Sequence, residues 1–201
     1  MTTTFDFKDG NGPVPAHQHP NGGGWVADTA TVADTAYVGP DAKVYGDAWV
    51  YGDAWVYGNA KVFDNAKVYG DAKVYGNARV YYNARVYDNA KVYGKAQVFG
   101  YAIVSDNAWV YGNAKVFDNA IVSDNAWVYG NAKVFDNAMV YDNARVLDNA
   151  MVFADATVYA NAWVFGDMCH RPSDRAEKSD TNEYIFIEMN GKRYKLVEVE
   201  K

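Results

Sequence analysis

The chain has 201 residues, 50% apolar and 22% charged, a make-up that belongs to folded protein and excludes disorder over most of its length. Val and Ala with Tyr, Phe and Trp carry the apolar half while Leu and Ile are scarce, so the broad core of a common globular domain is excluded. A net charge of -6, a single cysteine and the absence of a long apolar run leave no global attraction to nucleic acid or anionic lipid, no internal disulfide and no membrane-spanning helix.

Residues 1–23 read as an N-terminal cap. Thr4-Phe5-Asp6-Phe7 is extended, Asp9-Gly10-Asn11-Gly12 is a turn, and a Pro-rich stretch runs through Pro20, all poor material for a regular repeat. Met1 to Gly10 has neither a basic start nor an apolar stretch, so no secretory signal and a cytoplasmic location are expected. Gly22-Gly23-Gly24 lacks the strand, helix and Lys of a phosphate loop and reads as a flexible lead into the next segment.

Residues 24–168 repeat with a period of six. Val stands at position 26 and every sixth position through 164, 24 times in all, and the unit is Val-aromatic-Gly/Asp-Asn/Asp-Ala-x, as in Val74-Tyr75-Gly76-Asn77-Ala78-Arg79. A helix of 3.6 residues per turn would carry these valines right round its surface, whereas a short strand and a tight turn close in six. Strand alternation sends Val inward and both its neighbours outward, Ala fills the corner, and the Gly/Asp–Asn/Asp pair supplies the turn. The fold expected is an all-β solenoid.

The repeat stops where Met168 replaces Ala. Residues 169–182 read as a charged linker, and residues 183–201 as a β-hairpin in which two alternating runs flank Asn190-Gly191.

These hexapeptides resemble the hexapeptide-repeat, left-handed parallel β-helix superfamily. The resemblance covers residues 24–168, and the wording Val-Tyr-Gly-Asn-Ala-Lys behind an N-terminal Pro-Ala-His-Gln-His-Pro is similar to repeat proteins of bacteria and their phages. It implies a left-handed triangular solenoid with three hexapeptides per coil, hence eight coils and a rod of about 40 Å. It also implies association of subunits side by side, most often as trimers. Acyltransferases, zinc carbonic anhydrases and non-catalytic proteins share the scaffold, so the fold does not select a function. One departure is the aromatic after Val, where the enzymes more often carry a small or acidic residue.

With 18 residues per coil, the outward positions sort into three faces. The first carries Lys61, Arg79, Gln97, Lys115 and Lys133 beside Phe63, Tyr81, Phe99, Phe117 and Phe135, two parallel ladders with cations expected over ring faces, and is a candidate ligand groove for flat or anionic groups. The second turns from Trp49, Lys67 and Arg85 to Ile103, Ile121 and Met139, while its aromatic column breaks at Ser105 and Ser123. This apolar half-face is the expected interface of a homo-oligomer. The third, with Trp55, Trp109, Trp127 and Trp163, is the alternative interface or a binding platform. One corner carries a carboxylate in seven successive coils, from Asp34 to Asp142, a row that repels itself unless cations lie between coils.

The acyltransferases of the superfamily use a His base and its carbonic anhydrases three His ligands, yet no His lies between Val26 and Met168. His17 and His19 form a two-ligand metal candidate, weak because two ligands hold a metal poorly, and Cys169-His170 a conceivable nucleophile and base without a third group. The reading is therefore a non-catalytic solenoid without cofactor that self-associates and offers its ladders to a protein partner, with no nucleic acid or membrane partner expected. The alternatives are an acyltransferase-like enzyme and a phage-derived inhibitor that sequesters a ligand.

Overall fold

A computed structural model describes residues 3–166 in full and, beyond them, the backbone pairing of four strands, Cys169–His170, Glu177–Lys178, Tyr184–Met189 and Lys192–Val197. The described residues contain strands and no helix. Each hexapeptide gives a two-residue strand, such as Lys115–Val116, followed by a turn. Each strand pairs in parallel with the one 18 residues on, Lys115 opposite Lys133 and Val116 opposite Val134. Successive hexapeptides fall on three separate sheets in strict rotation, so the body is a triangular parallel solenoid of eight coils. Coil 1 holds Val26, Val32 and Val38, and coil 8 holds Val152, Val158 and Val164. The first sheet carries the first face of every coil, the second and third sheets the other two.

Only Val and Ala point inward, and from Ala36 to Val164 all of these inward side chains are buried. A section closed by three Val and three Ala has no space for Leu or Phe, which accounts for the composition.

Backbone amides tie each coil to the next. Lys115 donates to the Ala132 carbonyl at 2.9 Å, Phe117 to Val134 at 3.0 Å and Asn113 to Gly130 at 2.7 Å, and the same three bonds recur along the rod. Within the turn, the residue before the Asn position adopts a left-handed backbone, with φ of +71° at Gly112 and +55° at Asp124. The Asn itself does not; its side chain instead continues the stack, as where Asn113 Nδ2 donates to Asn131 Oδ1 at 3.0 Å.

The N-terminal residues close one end. β1 (Thr4–Asp6) and β2 (Pro13–Gln18) extend the first sheet in antiparallel fashion, with β2 against β3 (Trp25–Ala27). Phe7 is buried and stacks on Tyr45 at 4.9 Å, and Phe5 lies on Trp25 at 4.3 Å. On the third sheet Gly24 donates to the Val38 carbonyl and Val38 to that of Asn21, so that edge is also occupied. The second sheet ends at Thr31–Val32, an edge only two residues long and therefore a poor template for another chain.

At the far end, Tyr184–Met189 pairs antiparallel with Lys192–Val197, Met189 opposite Lys192, which leaves two residues between them. Within the segment read as a linker, Cys169–His170 pairs in parallel with Met151–Val152 and Glu177–Lys178 pairs antiparallel with Ile185–Phe186; the rest of that segment and the side chains of this region lie outside the described residues.

The left-handed turn position provides a stability test. Ala154 and Ala160 occupy it at φ +57° and +56°, a conformation that costs an L residue about 1–2 kcal/mol. Denaturant titration is expected to show Ala154→Gly stabilising by up to about 1 kcal/mol, once the greater freedom of unfolded Gly is deducted. Gly112→Ala is expected to destabilise by at least about 1 kcal/mol, since its Cβ would also come within 3.0 Å of Gly130 backbone atoms.

Candidate interaction surfaces

Because inner positions are uniform, all chemical variety lies on the outside, and parallel register places each outward residue over the one 18 positions away. On the first face Phe63, Tyr81, Phe99, Phe117 and Phe135 form one continuous stack, with centroids 4.8–4.9 Å apart and planes within 10° of parallel. Tyr81 donates its hydroxyl to Gln97 Oε1 at 3.2 Å. Beside the stack run Lys61, Arg79, Lys115 and Lys133. Burial first, then the charges of Lys43 and Arg79, lowers the pKa of Lys61.

The cations expected over these rings are found elsewhere. Among the described residues the only such pair on this face is Lys43 over Phe5 of the cap, at 5.0 Å. The reason is steric: rings that stack on each other offer no free face.

Cations meet rings instead where Trp shares a column with Lys or Arg. On the third face Lys91 lies over Trp109 at 4.3 Å, Trp109 stacks on Trp127 at 5.1 Å, and the Arg145 guanidinium is sandwiched between Trp127 and Trp163 at 4.7 and 4.8 Å. Lys73 covers Trp55 in the same column, and Lys67 covers Trp49 on the second face. Beside the third-face column Tyr57, Tyr75, Tyr93, Tyr111 and Tyr129 stack at 4.8–4.9 Å. Burial, and then the neighbouring Tyr75 and Tyr111, push the Tyr93 phenol up to about 12.

The second face is where the ladders fail. Tyr51, Tyr69 and Tyr87 stack at 4.7 and 4.8 Å, the column is then empty of rings at Ser105 and Ser123, and it resumes with Tyr141 and Tyr159. Ile103 and Ile121 beside the gap are half-buried and Met139 is exposed. Ser105 is only 3% exposed and donates its hydroxyl to Asp106 at 2.7 Å, so it forms the floor of a notch and not a projecting contact.

The acidic corner next to this face resolves its own repulsion. Asp106 accepts the Asp124 amide, Asp124 the Asp142 amide and Asp142 the Ala160 amide, at 2.9–3.4 Å, so a backbone donor from the next coil lies between successive carboxylates. Asp53 and Asp71, one residue later in the turn, are outside this column. Among the described residues no group of three or more His, Cys, Asp or Glu is arranged to hold a metal. At the corner between the first and second faces a groove of about 620 Å³ is lined by Tyr101, Asp118, Asn119, Asp136, Asn137 and Asp155 with Gly100 and Ala154. Tyr101, which stands where most hexapeptides carry Asn or Asp, lies at its end and is 65% exposed.

The histidines do not converge. His17 is exposed with Nδ1 2.9 Å from Asp28 Oδ1. His19 is buried, its Nδ1 beside the Asn21 backbone and its Nε2 without a partner among the described residues. Opposite environments and separate partners leave the pair unsuited to share a metal. Cys169 and His170 occupy a short strand opposite Met151 and Val152, and their side chains lie outside the described residues.

A family model described as the YdcK β-solenoid repeat matches residues 42–58 and 114–130. The two windows are offset by 72 residues, four coils of 18, so both open at the same corner and cover nearly one coil each. Neither a curated protein nor a solved structure matches this chain. The chain is a β-solenoid repeat protein. No helix among the described residues is long and apolar enough to cross a membrane.

The stacks can be probed in two ways. Arg145→Ala is expected to lower stability by about 1–2 kcal/mol, with Arg145→Lys retaining part of it, in thermal or denaturant unfolding. The phenols of Tyr45, raised to about 12 by burial and then by Asp9 and Asp64, and of Tyr93 favour the neutral form in the folded state. Their contribution is intact below about pH 10, the unfolded value, and is lost as pH rises through about 12. Tyr93→Phe should therefore unfold less steeply than wild type in an alkaline titration followed by circular dichroism.

Proposed function

We propose that the protein is a non-catalytic binding scaffold that self-associates through the apolar half of its second face and presents its aromatic and charged ladders to a protein partner. The observation that carries this reading is the interruption at coils 5–7. Ladders of rings and cations cover most of the other outward positions in the middle of the rod, but here Ile103, Ile121 and Met139 stand beside the Ser105–Ser123 notch with no Lys or Arg on that half of the face. Stacked rings at 4.8 Å stiffen a surface and satisfy themselves; a break in the stack leaves apolar area that only another surface covers.

The rigid ladders suit presentation for the same reason. Their geometry is set by the backbone spacing, so little side-chain freedom is lost when a partner docks. The first-face residues Lys61, Phe63, Arg79, Tyr81, Phe99, Lys115, Phe117, Lys133 and Phe135 and the third-face Trp column are the platforms offered. The exposed His17–Asp28 pair, a histidine held by a carboxylate, is the arrangement among the described residues that serves the acyltransferase-like alternative.

Light scattering after size-exclusion chromatography tests the reading. Wild type is expected to run as an oligomer and Ile121→Glu as a folded monomer; a monomeric wild type overturns self-association.

A further inference from the structure

The second face is not only interrupted but divided into halves that complement each other. In coils 2–4 it carries Trp49, Lys67 and Arg85 in one column and Tyr51, Tyr69 and Tyr87 in the other. In coils 5–7 the same columns hold Ile103, Ile121 and Met139, and Ser105, Ser123 and Tyr141. Bulk and positive charge lie in the lower half; small and apolar side chains lie in the upper half. Acidic corners border both halves, with Asp118 and Asp136 along one side of the upper half and Asp106, Asp124 and Asp142 along the other, and Asp47 and Asp64, then Asp53, Asp71 and Asp88, beside the lower half, so the complementarity is one of bulk and apolarity.

We propose that the second face packs on the second face of another copy, antiparallel, about a two-fold axis along the strand direction midway between coils 4 and 5. The inference rests on the self-association reading above and replaces the three-fold ring implied by the resemblance.

The register follows from symmetry. Such an axis exchanges coil 4 with coil 5, coil 3 with coil 6 and coil 2 with coil 7, and leaves each column facing itself. Ser105 and Ser123 then lie opposite the partner's Tyr87 and the partner's Tyr69, so two rings sit over the two-coil notch, whose Ser105 floor is covered within its own chain. Ile103 meets the stem of the partner's Arg85, Ile121 that of the partner's Lys67, and Met139 the partner's Trp49. Long cationic side chains lay their methylenes on apolar surface, and here the Arg85 head is carried outward to the rim while the Lys67 ammonium stays over Trp49. At the corner beside the axis the exposed Tyr82 and Tyr101, 53% and 65% accessible, face each other across it.

The alternative two-fold, parallel to the rod, keeps each coil level with itself. It would set Tyr69 and Tyr87 against Lys67 and Arg85 while leaving the small residues of coils 5 and 6 facing one another across a void, and so fits worse. A flat face is required, and over coils 2–4 the planes of Tyr51, Tyr69 and Tyr87 lie within 5° of parallel, while Tyr141 and Tyr159 at the upper end differ by 14°. Eight coils at about 4.8 Å and a width of about 15 Å give roughly 570 Å² a side, or about 1,100 Å² in total, at the lower end of specific interfaces.

Crosslinking tests the register. Two variants are made in a Cys169→Ser background, one with Lys67→Cys and one with Ile121→Cys, and treated with a short bismaleimide alone and mixed. The proposal expects a covalent pair in the mixture and at most traces in either variant alone, because like positions sit three coils, about 14 Å, out of level. If wild type is an oligomer by light scattering but the mixture gives no pair, or Ile121→Cys links to itself as efficiently, the two-fold register is overturned while self-association stands. If wild type is a monomer, both fail.

Discussion

Everything in this molecule depends on the amide ladder that sets each residue directly above the one 18 positions earlier, at the spacing of neighbouring strands. That ladder makes an inward error expensive, since a larger side chain would push against the coils above and below, and Val and Ala therefore recur unchanged. It also decides what outward residues can do, because each meets its own column before it meets solvent or a partner.

Within a column, rings gain from lying over rings and cations do not gain from lying over cations. Like charges still lie over one another on the first face, Lys43 beside Lys61 and Lys115 beside Lys133, but two other columns relieve such repulsion. On the third face Trp shares a column with Lys and Arg, and Arg145 is held between two indoles and is spared a like-charged neighbour on either side. Carboxylates accept an amide from the coil above, which converts a repelling row into a set of turn hydrogen bonds. The two stretches of the second face stay different because its lower part follows the ladder rule and its upper part departs from it.

The fold was legible because its signal is an inward residue at an unbroken period: Val at every sixth position indicates strand, turn and solenoid, and the Asn-Gly pair before Lys192 marks a two-residue connection between strands. The candidate surface was legible as substitutions, Tyr to Ser at 105 and 123 and Lys or Arg to Ile at 103 and 121. Partners of outward side chains were not. Periodicity states which residues share a column, but whether Lys43 covers a ring or Arg145 does depends on which ring faces are already taken, and that requires coordinates. The same holds for Ser105, whose burial reflects side-chain height relative to its neighbours, and for His19, whose ring is covered by the chain that folds back over the first coil.

Amide hydrogen exchange followed by NMR tests the coil-on-coil ladder most directly. The account predicts slow exchange at the strand and aromatic amides of all three faces from coil 2 to coil 7. At the left-handed turn position it predicts slow exchange only where the coil below supplies a carboxylate: Asp142 and Ala160 protected, Gly112 and Gly130, whose amides have no acceptor among the described residues, exchanging fast. Protection confined to one face, or equal protection of Gly112 and Ala160, would contradict it.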